Sequence, residues 1–233
     1  LDLYLFNIRD FKEALRMLYW VLGLAHEPSY IPAPLKQIYN TAFGDLFPAA
    51  GAVSPVDGLV NRSAVDEIFT TIRGGAGTGA RTSSANDNAS YLGASATTDQ
   101  FNEMGRGIYC YDTSSIVDGS TIDTAILSLW GRTKATGLGS PDVHIVGSTP
   151  ANTDNLVAGD YGQVQFTTFG SITAANWSGA DTTYNDTTLN ADGRNNVSLT
   201  GISKFACTSS WDINNSFGGV WSSSAATNFD TKT

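Results

Sequence analysis

From residue 52 onward the apolar positions of this chain recur every second residue, whereas between 10 and 24 they recur at helical spacing. Period two puts alternate side chains on opposite faces of a pleated backbone. It predicts strands at 58–60, 68–73, 89–95, 107–112, 124–131, 142–148, 163–170, 183–189 and 202–211. Turn-forming clusters separate them, such as Gly74-Gly75-Ala76-Gly77, Val117-Asp118-Gly119, Gly137-Leu138-Gly139 and Ala191-Asp192-Gly193. Many short strands with little helix indicate a two-sheet sandwich or barrel.

The first 50 residues read differently. Residues 1–6 alternate like a strand; Asp10 and Glu13 then form a variant of the capping box at a helix start. Phe11, Ala14, Leu15, Leu18 and Leu22 share one face, which Met17, Trp20, Val21 and Leu24 widen beyond what a solvated helix needs. Pro28, Pro32, Pro34, Pro48 and Pro55 make an extended, turn-broken arm of the segment that follows. Two readings stay open: helix and arm cover one end of the sandwich, or Phe11, Leu15, Leu18, Trp20 and Leu22 anchor the chain to a neighbouring subunit. The expected division is 1–50, helix and arm, and 51–233, sandwich. Residues 1–24 are not read as a secretion signal, because Asp10, Lys12, Glu13 and Arg16 interrupt the apolar run.

Composition narrows the function. The chain of 233 residues is 41% hydrophobic and 11% aromatic, enough apolar surface for a folded core. Its net charge of −9 argues against binding a phosphate backbone, so no nucleic-acid partner is expected. No apolar run approaches the roughly 20 residues of a membrane span. Cys110 and Cys207 are expected as buried free thiols, with a disulfide across the sandwich the minor alternative.

The stretch RGIYCYDTSSI at 106–116 poses a choice between chemistry and architecture. Asp112 and Asp118 would make a carboxylate pair, but an aspartate before Ser and Thr ordinarily accepts from backbone N–H groups two residues on, and architecture is the expectation. With Gly119, Ile122, Ala125, Leu127 and Leu129, this stretch resembles DNRLRE-type jelly-roll modules. In these an arginine-led strand ends in Phe-Asp-Leu-Ser-x-Ile-Pro, and an Ala-x-Ile-x-x-Ala-x-Leu-x-Leu strand follows. A looser likeness continues to Trp211 and Asp212. Tyr111 stands where the family has Phe, Val117 where it has Pro, and residues 228–233 lack the family's closing Pro-x-Leu-x-Val-x-Tyr strand. The resemblance implies an all-β jelly-roll β-sandwich of two antiparallel sheets, of the kind found in secreted bacterial proteins, some carbohydrate-binding, and in phage structural and tail-associated proteins.

Candidate chemistry is sparse. His26 and His144 have no nucleophile or second ligand at a recognisable spacing, and both are read as solvated. Most of Asp160, Asp181, Asp186, Asp192 and Asp212 precede Gly, Thr or Tyr, as turn aspartates do, so neither a glycosidase pair nor a calcium loop is adopted, and no cofactor or metal is expected. Trp130 and Trp211 are expected to cap the core. Trp177, in Ala-Asn-Trp-Ser-Gly, is the exposed candidate for stacking on a sugar, with Tyr184 nearby. Sequons at Asn61, Asn88, Asn176, Asn185, Asn196 and Asn214 carry little weight in so polar a chain. The sequence therefore points to a non-enzymatic module on a virion surface or other extracellular assembly, partnered by itself or by other particle proteins. The alternatives are a carbohydrate-binding module and a glycan-cleaving tail protein.

Overall fold

A computed structural model describes residues 56–82 and 87–232. The expected helix at 10–24, its anchor residues Phe11, Leu15, Leu18, Trp20 and Leu22, the arm, the 1–6 strand and His26 lie outside the described residues. The described residues make a compact unit.

Ten strands form this unit: β1 (Asp57–Glu67), β2 (Gly79–Thr82), β3 (Asp87–Ala94), β4 (Phe101–Asp112), β5 (Ile126–Thr136), β6 (Val143–Ser148), β7 (Val164–Ile172), β8 (Tyr184–Thr188), β9 (Ile202–Ser209) and β10 (Ala226–Lys232). Every pairing is antiparallel. The fold is all-β. The strands join in one sheet of order β7-β6-β9-β4-β3-β10-β5-β8, with β1 and β2 branching from β4. The sheet curls until its two ends approach. There the Asn190 backbone N–H donates to the Phe169 carbonyl at 2.7 Å and its side-chain amide to the Thr168 carbonyl at 2.8 Å.

β4 is the strand the others depend on. One of its edges pairs with β1; the other pairs with β3 up to Arg106 and with β9 from Gly107 on. Residues 104–110 are buried on both faces, not on one as simple alternation predicts, because separate cores pack on the two sides. Met104, Ile108 and Cys110 enter a core with Val60, Phe69, Ile72, Leu92, Tyr161 and Trp211. Tyr109 enters the other, with Leu127, Leu129, Val143, Ile145, Phe169, Trp177, Phe205, Cys207 and Phe229. Cys110 and Cys207 thus belong to different cores and are free. Burial pushes the Cys110 thiol up to about 11 and raises that of Cys207 as well, which leaves both protonated at neutral pH.

The structure departs from the sequence pattern in three places. The predicted strand at 68–73 is instead a helix, α1 (Phe69–Gly74), which buries Phe69 and Ile72 three residues apart. A short β-branched run fits either period, and packing on the first core selects the helix. β2 was hidden by its glycine-rich approach. The chain end, read as lacking a closing strand, supplies β10 between β3 and β5. Its inward residues are Thr227, Phe229 and Thr231, each at most 3% exposed. Two of the three are polar, which conceals the alternation. Each threonine hydroxyl has a partner: Thr227 donates to the Gly139 carbonyl at 3.0 Å, and Thr231 lies 3.0 Å from the Tyr109 hydroxyl.

Arg106 lies on the first-core face of β4 and is 2% exposed. Its Nε and Nη2 donate to the two Asp212 oxygens at 2.7 and 2.9 Å, while Nη1 reaches the Tyr161 carbonyl at 2.7 Å and Nη2 the Arg73 carbonyl at 3.0 Å. The guanidinium stacks 4.0 Å over the Tyr161 ring. Burial opposes its charge, but the Asp212 carboxylate outweighs that cost and holds the guanidinium above its ordinary value. Asp212 sits in the short helix α2 (Ser210–Ile213), capped by Ser209, and also accepts from Thr208 Oγ1 and pairs with Arg73 at 3.0 Å. The Tyr161 hydroxyl meanwhile donates to the Ile72 carbonyl at 2.9 Å. Arg106 and Tyr161 thereby satisfy last-turn carbonyls of α1 that have no intrahelical donor.

Removing one member of a buried pair strands the other charge. Arg106→Met is therefore expected to lower unfolding free energy by about 3–5 kcal/mol in urea titration. Arg62→Ala, which breaks a partly exposed bridge to Glu67, should cost about 1 kcal/mol or less. Adding Asp212→Leu to Arg106→Met should recover part of the loss, because the fully buried carboxylate is then gone and only Arg73, 17% exposed and near solvent, loses a charged partner.

Candidate functional site

Of the two expected sugar-stacking residues, one is inside. Trp177 is 2% exposed and packs edge-on against Phe229, ring centroids 5.6 Å apart. The loop between β7 and β8 folds over the second core and carries Trp177 into it, held by a bond from the Trp177 backbone N–H to the Thr173 carbonyl and by Lys134 Nζ on the carbonyls of Ala174 and Trp177. The polar neighbours that suggested exposure are themselves exposed at Asn176 but do not set the direction of the indole. Tyr184, by contrast, is 57% exposed.

Tyr184 has a different tryptophan beside it. Trp130 on β5 is directly opposite Tyr184 on β8, and their rings meet nearly perpendicular, centroids 4.9 Å apart. Trp130 was expected to cap the core, but Leu127 and Leu129 take the inward positions of β5, so Trp130 and Ser128 face outward. The indole is fixed from the side as well: Trp130 Nε1 donates to Asp181 Oδ1 at 2.7 Å. Asp181 has φ +52°, a conformation uncommon for a residue with a side chain, and its N–H donates to the Gly131 carbonyl at 3.0 Å. Gly131 makes this possible, since a Cβ there would sit 1.8 Å from the Ser178 carbonyl oxygen. The loop can lie directly on β5 only because position 131 has no side chain.

Trp130 and Tyr184 border a groove of about 300 Å³ whose other lining residues are Asp57, Tyr109, Tyr111, Ser128, Leu129 and Thr231. Half of its lining is aromatic. Asp57 is the one carboxylate in that lining. Tyr109 and Tyr111 are held protonated, with phenol values raised chiefly by burial. The groove therefore offers ring faces, hydroxyls and one carboxylate.

The remaining candidates are structural. Asp112 Oδ1 accepts from the Ser114 N–H at 3.0 Å and its hydroxyl at 2.6 Å, and these bonds hold the carboxyl below its ordinary value. Asp118 sits in the turn closed by Ser120 N–H on the Val117 carbonyl, where Gly119 takes φ +78°. Asp160 is 1% exposed and accepts from the N–H groups of Ala151 and Val157. Asp181, Asp186 and Asp192 are not gathered: Asp181 is on Trp130, Asp186 faces outward on β8, and Asp192 is in the first turn of a short helix (Ala191–Asn195) ahead of β9. Among the described residues no three His, Cys, Asp or Glu side chains gather to hold a metal ion, and no helix is long and apolar enough to cross a membrane. His144 is half-buried rather than solvated, with Nδ1 3.1 Å from Thr168 Oγ1.

No family model matches the chain, and neither a curated protein nor a solved structure matches it.

Gly131→Ala is expected to force the loop off β5 and cost about 1–3 kcal/mol of stability, the range for overpacking, with a matching rise in the accessibility of Trp130 to a fluorescence quencher. Burial, opposed by Asp142, holds the His144 imidazole below its ordinary value of 6.5. The unfolded chain then binds the proton that the folded chain resists, so stability contributed by His144 is present above 6.5 and lost as pH falls through the lower folded value. Urea unfolding at pH 7 and pH 5 should show an acid loss that is smaller in His144→Gln.

Proposed function

We propose that this chain is a non-enzymatic structural module displayed on a phage particle or comparable extracellular assembly. In this reading the body is a jelly-roll relative of the DNRLRE-type modules. The 1–50 segment, through Phe11, Leu15, Leu18, Trp20 and Leu22, attaches it to further copies of itself or to other particle proteins.

The observation that carries the reading is the commitment of the buried charges. Arg106, Asp160 and Asp212 are each at most 2% exposed, and their hydrogen bonds all go to strands, turns and helix ends of the same unit. A catalytic acid or base has to reach a substrate. Arg106 also opens the run that resembles the family and Asp212 ends the looser part of it, so their pairing supports a common architectural use of both ends. The antiparallel curled sheet with cores on two sides is compatible with a jelly roll.

Attachment through the first segment is tested by sedimentation and electron microscopy of the full chain and of a variant lacking residues 1–34. The full chain is expected to form defined oligomers, and the shortened one to stay monomeric with an unchanged unfolding midpoint. A monomeric full chain, or a shortened chain that assembles equally well, overturns the reading.

A further inference from the structure

The geometry points to a second role for this body, separate from assembly: the groove beside Trp130 and Tyr184 binds a small neutral saccharide. Four observations converge on it. Trp130 and Tyr184 place two large aromatic rings on the outward face of paired strands, where nothing in the inner cores requires them. Exposed aromatic rings offer the flat apolar surface on which the C–H face of a sugar ring packs. Further along the same face Ser128 stands opposite Asp186, so hydroxyl and carboxylate groups continue from the aromatic end.

The indole is also held in place before any ligand arrives. A surface tryptophan ordinarily samples rotamers, and fixing one on binding costs affinity. Here the Asp181 bond, the left-handed backbone of Asp181 and the Tyr184 edge already restrict Trp130. Backbone of this kind is retained where the surrounding structure demands a particular geometry.

The ligand's chemistry follows from the lining. At about 300 Å³ the groove is at the lower end of the range for small-ligand sites. Tyr109 and Thr231 are buried and bond each other, so its polar side chains toward a ligand are Asp57, Ser128 and the phenols of Tyr111 and Tyr184, with no cation to receive an acidic group. Asp57 and Asp181, with a chain charge of −9, disfavour an anionic sugar. A neutral saccharide supplies hydroxyl donors for the carboxylate and a ring face for the aromatics.

The full chain is to be probed on an array of neutral glucan, mannan, galactan and chitin fragments beside sialylated and uronic-acid glycans, with hits titrated by tryptophan fluorescence. Binding to a neutral fragment is expected, weakened at least about tenfold by Trp130→Ala and by Tyr184→Ala. Tyr184→Ala alters an exposed side chain, so its unfolding midpoint should stay that of the parent and separate lost binding from lost fold. Asp181→Asn should weaken binding less, because the amide oxygen still accepts from the indole. Absence of binding to every neutral fragment, preference for acidic glycans, or binding that survives both aromatic substitutions overturns the assignment. Failure here leaves the assembly reading standing, since sedimentation of the full chain reads that independently.

Discussion

The buried bond between Arg106 and Asp212 is the constraint on which the first core is arranged. A guanidinium inside a protein has to be paired and hydrogen-bonded, or its desolvation is too costly. Here its partners come from three separate pieces of chain: α1 through the Arg73 carbonyl, the turn at Tyr161, and α2 through Asp212, whose carboxylate also accepts from Thr208 on β9. Each piece is short and unable to fold by itself, and all are oriented by one planar fork of donors. The pair need not add net stability over an apolar equivalent to have this effect. Its geometry ties segments distant in sequence to one position on β4.

That position is where the sheet divides. β4 exchanges β3 for β9 between Arg106 and Gly107, so the charged cluster sits at the branch that lets one sheet enclose two cores. On one side α1, the Tyr161 turn and Trp211 cover the strand; on the other, the curl brings β5, β8 and β10 across from β6, β7 and β9. A strand buried on both faces gains more from apolar burial than one with a solvated face, at about 25 cal/mol per Å². The cost is that its polar members require internal partners, which Arg106 and Tyr109 have.

The outer face obeys a different rule. Trp130 is presented by β5, whose opposite face enters the second core through Leu127 and Leu129, and Tyr184 by β8, whose opposite face buries Asn185 and Thr187. The loop that carries Trp177 inward also carries Asp181 to the indole of Trp130, and Gly131 allows its close approach. One loop thus closes a core and shapes a surface.

The sequence by itself determined the all-β class, most strand positions and the turn role of Asp112 and Asp118, because strand alternation and turn chemistry are local properties. Tertiary structure decided what depends on distant neighbours: that 69–74 is helical, that β10 is an inner strand despite its threonines, and that residues 104–110 of β4 have no solvated face. It likewise exchanged Trp177 for Trp130 as the partner of Tyr184. Both tryptophans lie in polar-flanked or alternating stretches, and only the closure of the β7–β8 loop over the second core fixes which indole is buried. Direction toward core or solvent is a property of what packs opposite, and a chain read residue by residue does not contain it.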